Sequence, residues 1–407
     1  MSKGWQEKNL GECCIGRPSY GANSASIDFS PSLPRYLRIT DISESGSLTN
    51  YNPRSIEINA AEGNYVEKGD IVFARSGATV GKTYLHQSND ILAYAGYLIR
   101  FRPNQKIVFP EYLFLFTQSD HYKNWIKSNI RTGAQPNVNA QEYSKMIIPL
   151  PSLPEQRKIA TILRTWDDAI EKIDLLIKKR QQEKSILQIK IFSGMLIPKN
   201  HRIKSVRLYD IAVSIIDGDR GKNYPKSDDF SSNADCLFLS AKNVTNDGFK
   251  FDEPQFISAK KDRLMSKGKL RRNDIVLTTR GTVGNIAWFN DTVPYHSIRI
   301  NSGMVIIRNE SLELDTEFLY KTLSSEIVKN QIKRTVFGSA QPQLTLDLIR
   351  NFKIPLPPVK KQQKIAAILR FYDESFEKLD KYKRTLNSQK RGLMQKLLTG
   401  QWRVNFD

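Results

Sequence analysis

Nothing constrains this chain more than its own repetition. Residues 134–174 read AQPNVNAQEYSKMIIPLPSLPEQRKIATILRTWDDAIEKID and residues 340–380 read AQPQLTLDLIRNFKIPLPPVKKQQKIAAILRFYDESFEKLD, with 18 identities over 41 positions at an offset of 206. A match of that depth means one architecture built twice. The offset carries upstream, placing Pro110-Glu111-Tyr112-Leu113 over Thr316-Glu317-Phe318-Leu319 and Lys123-Asn124-Trp125-Ile126 over Lys329-Asn330-Gln331-Ile332. With small slips it reaches Gly69-Asp70-Ile71-Val72 over Asn273-Asp274-Ile275-Val276. Similarity is strongest at the C-terminal end of each half and fades toward its N-terminal end, which separates a constant part from a variable one.

The variable parts, 1–150 and 201–357, hold short β-rich runs such as Tyr36-Leu37-Arg38-Ile39, Asp70-Ile71-Val72-Phe73, Leu237-Phe238-Leu239 and Asp274-Ile275-Val276-Leu277, broken by Gly, Asn and Pro turns. Each also carries one helical stretch, near 110–128 and near 315–334, so both are expected to be mixed α/β (α+β) globular domains. The constant parts, 151–200 and 358–407, are led by Ile148-Pro149-Leu150-Pro151 and Ile354-Pro355-Leu356-Pro357-Pro358. Prolines start a helix but cannot continue one, and beyond Pro154 and Pro358 none follows for about 40 residues.

In the first constant part Ile159, Leu163, Trp166, Ile170, Ile173 and Ile177 step by three and four, and after Arg180 and Lys184 the stripe resumes at Leu187 and Ile191. In the second, Ile365, Leu369, Tyr372, Phe376 and Leu379 give way to Lys383, Leu386 and Lys390, then to Leu393 and Leu397. This is the seam of a coiled coil. A single helix of about 40 residues is about 60 Å long and cannot bury its own stripe, so the two helices are expected to pair. A pseudo-twofold between the halves makes that pair antiparallel, with the two domains at opposite ends of a rod.

Composition narrows the function. A chain of 407 residues with 40% hydrophobic and 26% charged residues has room for two cored domains, and no apolar run approaches the roughly 18 residues of a membrane span. The expected location is the cytoplasm, away from membranes. Cys13, Cys14 and Cys236 form no disulfide framework or paired ligand spacing, and with four histidines no metal site is expected. The net charge of +20 and the pI near 9.7 point instead to a polyanion, with nucleic acid first.

Gly77-Ala78-Thr79-Val80-Gly81-Lys82-Thr83 looks like a phosphate loop, but it has three residues between its glycines where a Walker A loop needs four. Its copy, Gly281-Thr282-Val283-Gly284-Asn285, lacks the lysine, which favours a tight turn between strands. Neither a Gly-rich cofactor loop nor an Asn/Asp-Pro-Pro-aromatic methyltransferase motif is present, and no acid/base cluster recurs in both halves. No catalytic constellation and no cofactor are therefore expected in this chain.

The basic residues divide into faces and loops. Lys178-Lys179-Arg180 and Lys381, Lys383 and Arg384 read first as solvated helix faces. The run from Lys260 to Arg272, including Lys269, Arg271 and Arg272, either faces phosphate or is ordinary surface. Stronger candidates are loops in which Arg or Lys mixes with Gly, aromatic and amide residues, because base edges are read by short hydrogen bonds from Arg, Asn and Gln. These are Arg17, Ser19 and Tyr20; Arg220, Lys222 and Tyr224; Arg75 and Ser76; Arg280 and Thr282; Arg131 and Gln135; and Arg334 and Gln341. Lys82 joins them from its turn. Because the last pair of loops recurs before each proline-led start, it is equally readable as a structural hinge.

Two variable domains alternating with two helices of the form Ile-Pro-Leu-Pro then Gln-x-Lys-Ile-Ala-x-Ile-Leu, with the endings Phe192-Ser193-Gly194 and Leu398-Thr399-Gly400, closely resemble the specificity subunit of type I restriction–modification systems. One departure is Lys361, where the first copy has Glu155; a positive charge in a first turn opposes the helix dipole. The resemblance implies a non-catalytic subunit that reads double-stranded DNA. Each variable domain would be a target recognition domain for one half of a split sequence, and the helices would set the gap. Two modification subunits, adenine-N6 methyltransferases using S-adenosylmethionine, would dock on the helices. Restriction subunits that use ATP and Mg would join through them. A scaffold whose two-helix rod spaces two protein-binding domains is the alternative, and an RNA-binding protein is a third reading.

Overall fold

The computed structural model describes residues 4–130, 136–192, 204–336 and 343–405. The chain forms two compact units, Met1–Leu175 with Asp380–Asp407, and Leu176–Leu379. These differ from four consecutive segments divided at 150, 200 and 357, because the long helices Leu153–Phe192 and Val359–Leu398 each give one half to either unit.

Each unit is built on the same four-stranded antiparallel sheet. In the first the order is Ser19–Tyr20, Leu98–Phe101, Ile71–Ala74, Thr83–Leu85; in the second it is Val213–Asp217, Met304–Asn309, Ile275–Thr278, Ile286–Trp288. The strands Ile71–Ala74 and Ile275–Thr278 are buried at every residue. Their alternate side chains feed two cores: Ile71 and Phe73 one, Val72 and Ala74 the other, and likewise Ile275 and Leu277 against Val276. A sheet covered on both faces needs continuous apolar runs in place of alternation. Beside it lies a second sheet of five strands in the first unit and three in the second. In both, one pair runs parallel: Arg35–Leu37 with Leu92–Tyr94, and Cys236–Leu239 with Ile298–Ile300.

The single helical stretch expected in each variable part is two helices. Pro110–Thr117 stops at Gln118, and Ser119 opens Asp120–Asn129 by accepting from Tyr122 N at 3.3 Å; the second copy breaks between Thr316–Leu323 and Glu326–Val336. A serine in extended conformation is a favoured N-cap, so a period that reads as continuous hides the break. The segment resembling a phosphate loop is a tight turn between Ile71–Ala74 and Thr83–Leu85, with Gly77 and Gly81 at φ +74° and +89° and Gly281 and Gly284 at +72° and +94°.

The proline-led starts are strands as well as helix leaders. Ile147–Leu150 pairs with Gln6–Asn9, and Lys353–Leu356 pairs with Lys204–Arg207. These two-stranded ribbons tolerate Pro149 and Pro355, since an edge can spare a backbone donor. From each ribbon the chain enters a 40-residue helix, and one buried glutamine fastens the junction. Gln156 Oε1 accepts from Phe109 N at 2.7 Å, while Nε2 donates to the carbonyls of Pro151 and Ile107 at 2.9 and 3.1 Å. At the second junction Gln362 repeats all three bonds with Asp315 N at 2.8 Å and the carbonyls of Pro357 and Glu313, both at 2.7 Å. Lys361 does not shift the helix start, which lies at Val359 in register with Leu153. Glu155, fully buried, is matched by Arg403, whose Nε and Nη2 donate to it at 2.7 and 2.9 Å.

Within each unit the two half-helices run antiparallel. Asp167 pairs with Lys390 and Asp174 with Lys383 (2.6 Å) in the first; Lys184 pairs with Asp373 in the second. Asp167–Lys390 and Asp373–Lys184 are the same pair under the 206-residue offset. None of the sixteen stripe residues, from Ile159 to Leu397, is exposed. Arg180 is half-buried and paired with Glu183.

Replacing Gln156 or Gln362 with Ala leaves one N–H and two carbonyls of a buried junction without their partner, which should cost on the order of 1–3 kcal/mol. Urea unfolding should show the loss, and hydrogen exchange should rise first at residues 107–109 for Gln156→Ala and at 313–315 for Gln362→Ala.

Candidate nucleic-acid interface

In the first unit the basic loops of Tyr20 and Arg75 meet Tyr97 and residues 136–140 at one end of the four-stranded sheet. Arg75 leaves the strand Ile71–Ala74 with its backbone held on both sides: its N–H donates to Tyr97 O at 3.0 Å and its carbonyl accepts from Val138 N at 2.9 Å. Ser76 is buried and bridged to Asn137, and Gly77 N donates to Pro136 O at 3.0 Å. Tyr20 closes the edge strand. Its hydroxyl accepts from Ala140 N at 3.2 Å, and its ring centroid lies 4.8 Å from Arg75 Cζ. Ser19 shares a 2.8 Å hydrogen bond with the Tyr94 hydroxyl; burial pushes the Tyr94 phenol up, and the Ser19 bond only partly offsets that. Arg17 is exposed.

The second unit repeats this convergence with different side chains. Thr279 N donates to Gly303 O at 2.8 Å and Leu344 N to Thr279 O at 3.0 Å, the counterparts of the two bonds that hold Arg75. Thr279 therefore occupies the place of Arg75, and Arg280 that of Ser76. Arg280 is exposed, with Nη2 and Nε donating to the Gln343 amide oxygen at 3.0 and 3.3 Å in the orientation that hydrogen bonding selects for that amide. Thr282 is exposed in the following turn.

The loops that cross the sheet edge turn over glycines that admit no side chain. A Cβ on Gly21 would sit 2.2 Å from Tyr94 O, and one on Gly218 would sit 2.0 Å from Asn301 O. In the first unit Arg17 and Tyr20 precede this glycine; in the second Arg220, Lys222 and Tyr224 follow it. Arg220 pairs with Asp217 at 3.1 Å and also reaches Ser302 O at 3.4 Å. Asp219 is buried and shapes the loop, accepting from Gly221 N and Ser266 N, both at 2.7 Å. Burial pushes the Asp219 carboxyl up, but these donors with Lys267 N and the Ser266 hydroxyl outweigh it and hold the carboxyl below its usual range. Lys222 is exposed, while Tyr224 and Phe238 pack at nearly a right angle.

Other basic candidates have partners inside the fold. Lys269 Nζ binds Asp262 and Ser297, both at 2.5 Å, and Arg272 stacks 4.2 Å from the Phe289 centroid while donating to the carbonyls of Asn290, Val293 and Tyr295. Lys82 pairs with Glu44 at 2.8 Å. From the same basic run Lys260, Lys267 and Arg271 are exposed, as is Arg334 in the last turn of its helix. Arg131, Gln135 and Gln341 lie outside the described residues.

Sequence reasoning passed over Tyr97, Asn137 and Gln343. Tyr97 is 62% exposed beside Arg75, in a Gly-containing turn with no basic residue to flag it. Among the described residues no group of His, Cys, Asp or Glu could hold a metal ion, and no helix is long and apolar enough to cross a membrane.

Comparison with known proteins agrees with this duplicated geometry. The profile of the type I restriction modification DNA specificity domain matches twice, at residues 2–179 and 200–387. The chain is 25% identical over 354 residues to the specificity subunit of type I restriction enzyme MjaVIII of Methanocaldococcus jannaschii, covering 83% of this chain and 80% of that one. It is 24% identical over 321 residues to the specificity subunit of EcoBI from Escherichia coli, covering 72% and 66%. Among solved structures, the fold matches a chain from a type I R-M system complex with a TM-score of 0.62 at 20% identity, covering 97% and 98%. It also matches the type I S subunit of M. genitalium with a TM-score of 0.59 at 16% identity, covering 97% and 96%. With the family profile spanning both halves, the chain belongs to the type I restriction–modification DNA specificity family.

Proposed function

We propose that this chain is the DNA-reading subunit of a type I restriction–modification complex, in which each unit reads one half of a bipartite duplex target. The observation that carries this is the twofold convergence of three loops at one end of each four-stranded sheet, on equivalent backbone bonds but with different side chains: Tyr20 and Arg75 in one unit, Thr279, Arg280 and Gln343 in the other. A fixed frame with changing polar tips suits a device that must read two unrelated half-sites. The net charge of +20 supplies the attraction to phosphate that brings such tips to bases.

The long helices set the unread gap and dock the modification subunits. Their support is continuity through both units and a set of apolar side chains left exposed: Leu175 and Tyr382 in one unit, Leu176, Ile186, Ile189, Ile368 and Phe371 in the other. Methyl transfer by S-adenosylmethionine and DNA cleavage driven by ATP belong to the partner subunits, and this chain acts in the cytoplasm as their address on DNA.

Replacing 201–357 with the corresponding segment of a relative should change only the second half of the motif when methylated adenines are mapped in cells that also carry the modification subunit. A change in both halves would refute independent reading.

Inserting four residues after Arg180 lengthens the first helix by about 6 Å, close to two base-pair steps. The methylated motif should keep both halves and gain one or two unread base pairs between them. An unchanged gap in a folded, active variant would show that the helices are not the ruler.

A further inference from the structure

Arg75 combines two features, one unfavourable and one favourable. Its Nε is buried yet has no hydrogen-bond partner among the described residues, and its guanidinium carbon stacks on the Tyr20 ring at 4.8 Å. The other two such atoms, the indole nitrogens of Trp5 and Trp288, belong to side chains packed against the two cores. Arg75 instead stands at the loop junction, where the backbone is pinned by Tyr97 and Val138 and only the side chain is uncommitted. Tyr20 is itself anchored, through Ala140 N to its hydroxyl and through strand pairing with Ile99. The planar guanidinium is thus held by its face; its buried Nε faces the protein, and the two Nη groups, which have no hydrogen-bond partner among the described residues, are left for an in-plane acceptor pair.

Two acceptor classes fit an arginine fork: the O6 and N7 atoms of guanine in the major groove, and a phosphate. Phosphate contacts in flexible surroundings need no pre-set plane, whereas a base edge does, because both acceptors lie in the plane of the base. We propose that Arg75 reads a guanine in the first half-site and that Tyr20 is the positioning residue that holds its guanidinium in plane for that contact. The inference rests on the DNA-reading function. It is a property of the first unit alone, since the same place in the second is held by Thr279, which is buried.

The test uses the full chain with its modification subunit, reading the methylated motif position by position together with the salt dependence of DNA binding. Arg75→Ala and Arg75→Lys should both relax one guanine of the first half-site by on the order of 10- to 100-fold while leaving the second half intact, and the intact half reports that the variants are folded. Tyr20→Ala should relax the same position and add little to Arg75→Ala, whereas Tyr20→Phe, which keeps the ring, should retain the preference. The salt slope should stay at the wild-type value in Arg75→Ala. Uniform weakening on all sequences with a slope lowered by about one makes Arg75 a phosphate contact and overturns the proposal. Retained preference in Tyr20→Ala overturns the positioning role. A wild-type complex that leaves no bipartite methylated motif overturns the DNA-reading function itself, and this inference with it.

Discussion

A single buried amide, repeated at Gln156 and Gln362, is what the rest of the structure hangs from. The first turn of a helix and the segments packed against it expose backbone donors and acceptors that must be paired once water is excluded. A glutamine amide supplies both kinds of group on one flexible stem, and here it joins the ribbon carbonyl, the loop carbonyl and the loop N–H in three bonds. With the junction fastened, the long helix becomes part of the domain. Ile159, Ala160 and Leu163 share one core with Phe73 and Tyr112, and Met394, Leu397 and Leu398 from the other helix complete that core. Neither unit can close its core without both helices.

The duplicated frame is strict in the backbone and loose in its charges. Asp70 with Arg102 and Asp274 with Arg308 form the same buried forked pair in both units, and the residue before each aspartate, Gly69 or Asn273, adopts positive φ to make the turn. Outside the core the copies part. Glu155 takes Arg403 in one unit where Lys361 stands in the other, and Asp373 gathers Lys321 in addition to Lys184 while Asp167 has Lys390. The Asp373 and Asp167 pairs are partly exposed and worth little to stability, which leaves them free to diverge, whereas Glu155 is buried and is held by its arginine. The loop tips diverge too: the sheet fixes where Arg75 and Thr279 leave their strands, and the two backbone bonds that hold each of them do not involve the side chain.

Much of this frame was legible because it rests on local rules. The strand runs at Ile71 and Ile275, the tight turns at Gly77 and Gly281, and both 40-residue helices follow from apolar period, glycine placement and proline spacing. The helix break at Ser119 was hidden because serine fits a helix pattern until its hydroxyl caps the next one. The ribbon partners Gln6–Asn9 and Lys204–Arg207 were invisible because they lie about 140 and about 150 residues from their mates and carry no strand period of their own.

For the interface, charge and loop composition drew attention to Arg17, Tyr20, Arg75, Arg220 and Arg280, but they could not separate a basic residue that faces outward from one that braces the fold. Lys82, Lys269 and Arg272 have the same local sequence appearance as their exposed neighbours, and only packing against Glu44, Asp262 and Phe289 sets them apart. The sequence by itself determined that one architecture occurs twice, that each copy ends in a helix too long to be buried alone, and that the chain favours a polyanion. Tertiary structure decided which half of each helix serves which unit and which arginine is left with an unsatisfied donor. Those outcomes depend on hydrogen bonds and contacts between residues far apart in the chain, and no local period encodes them.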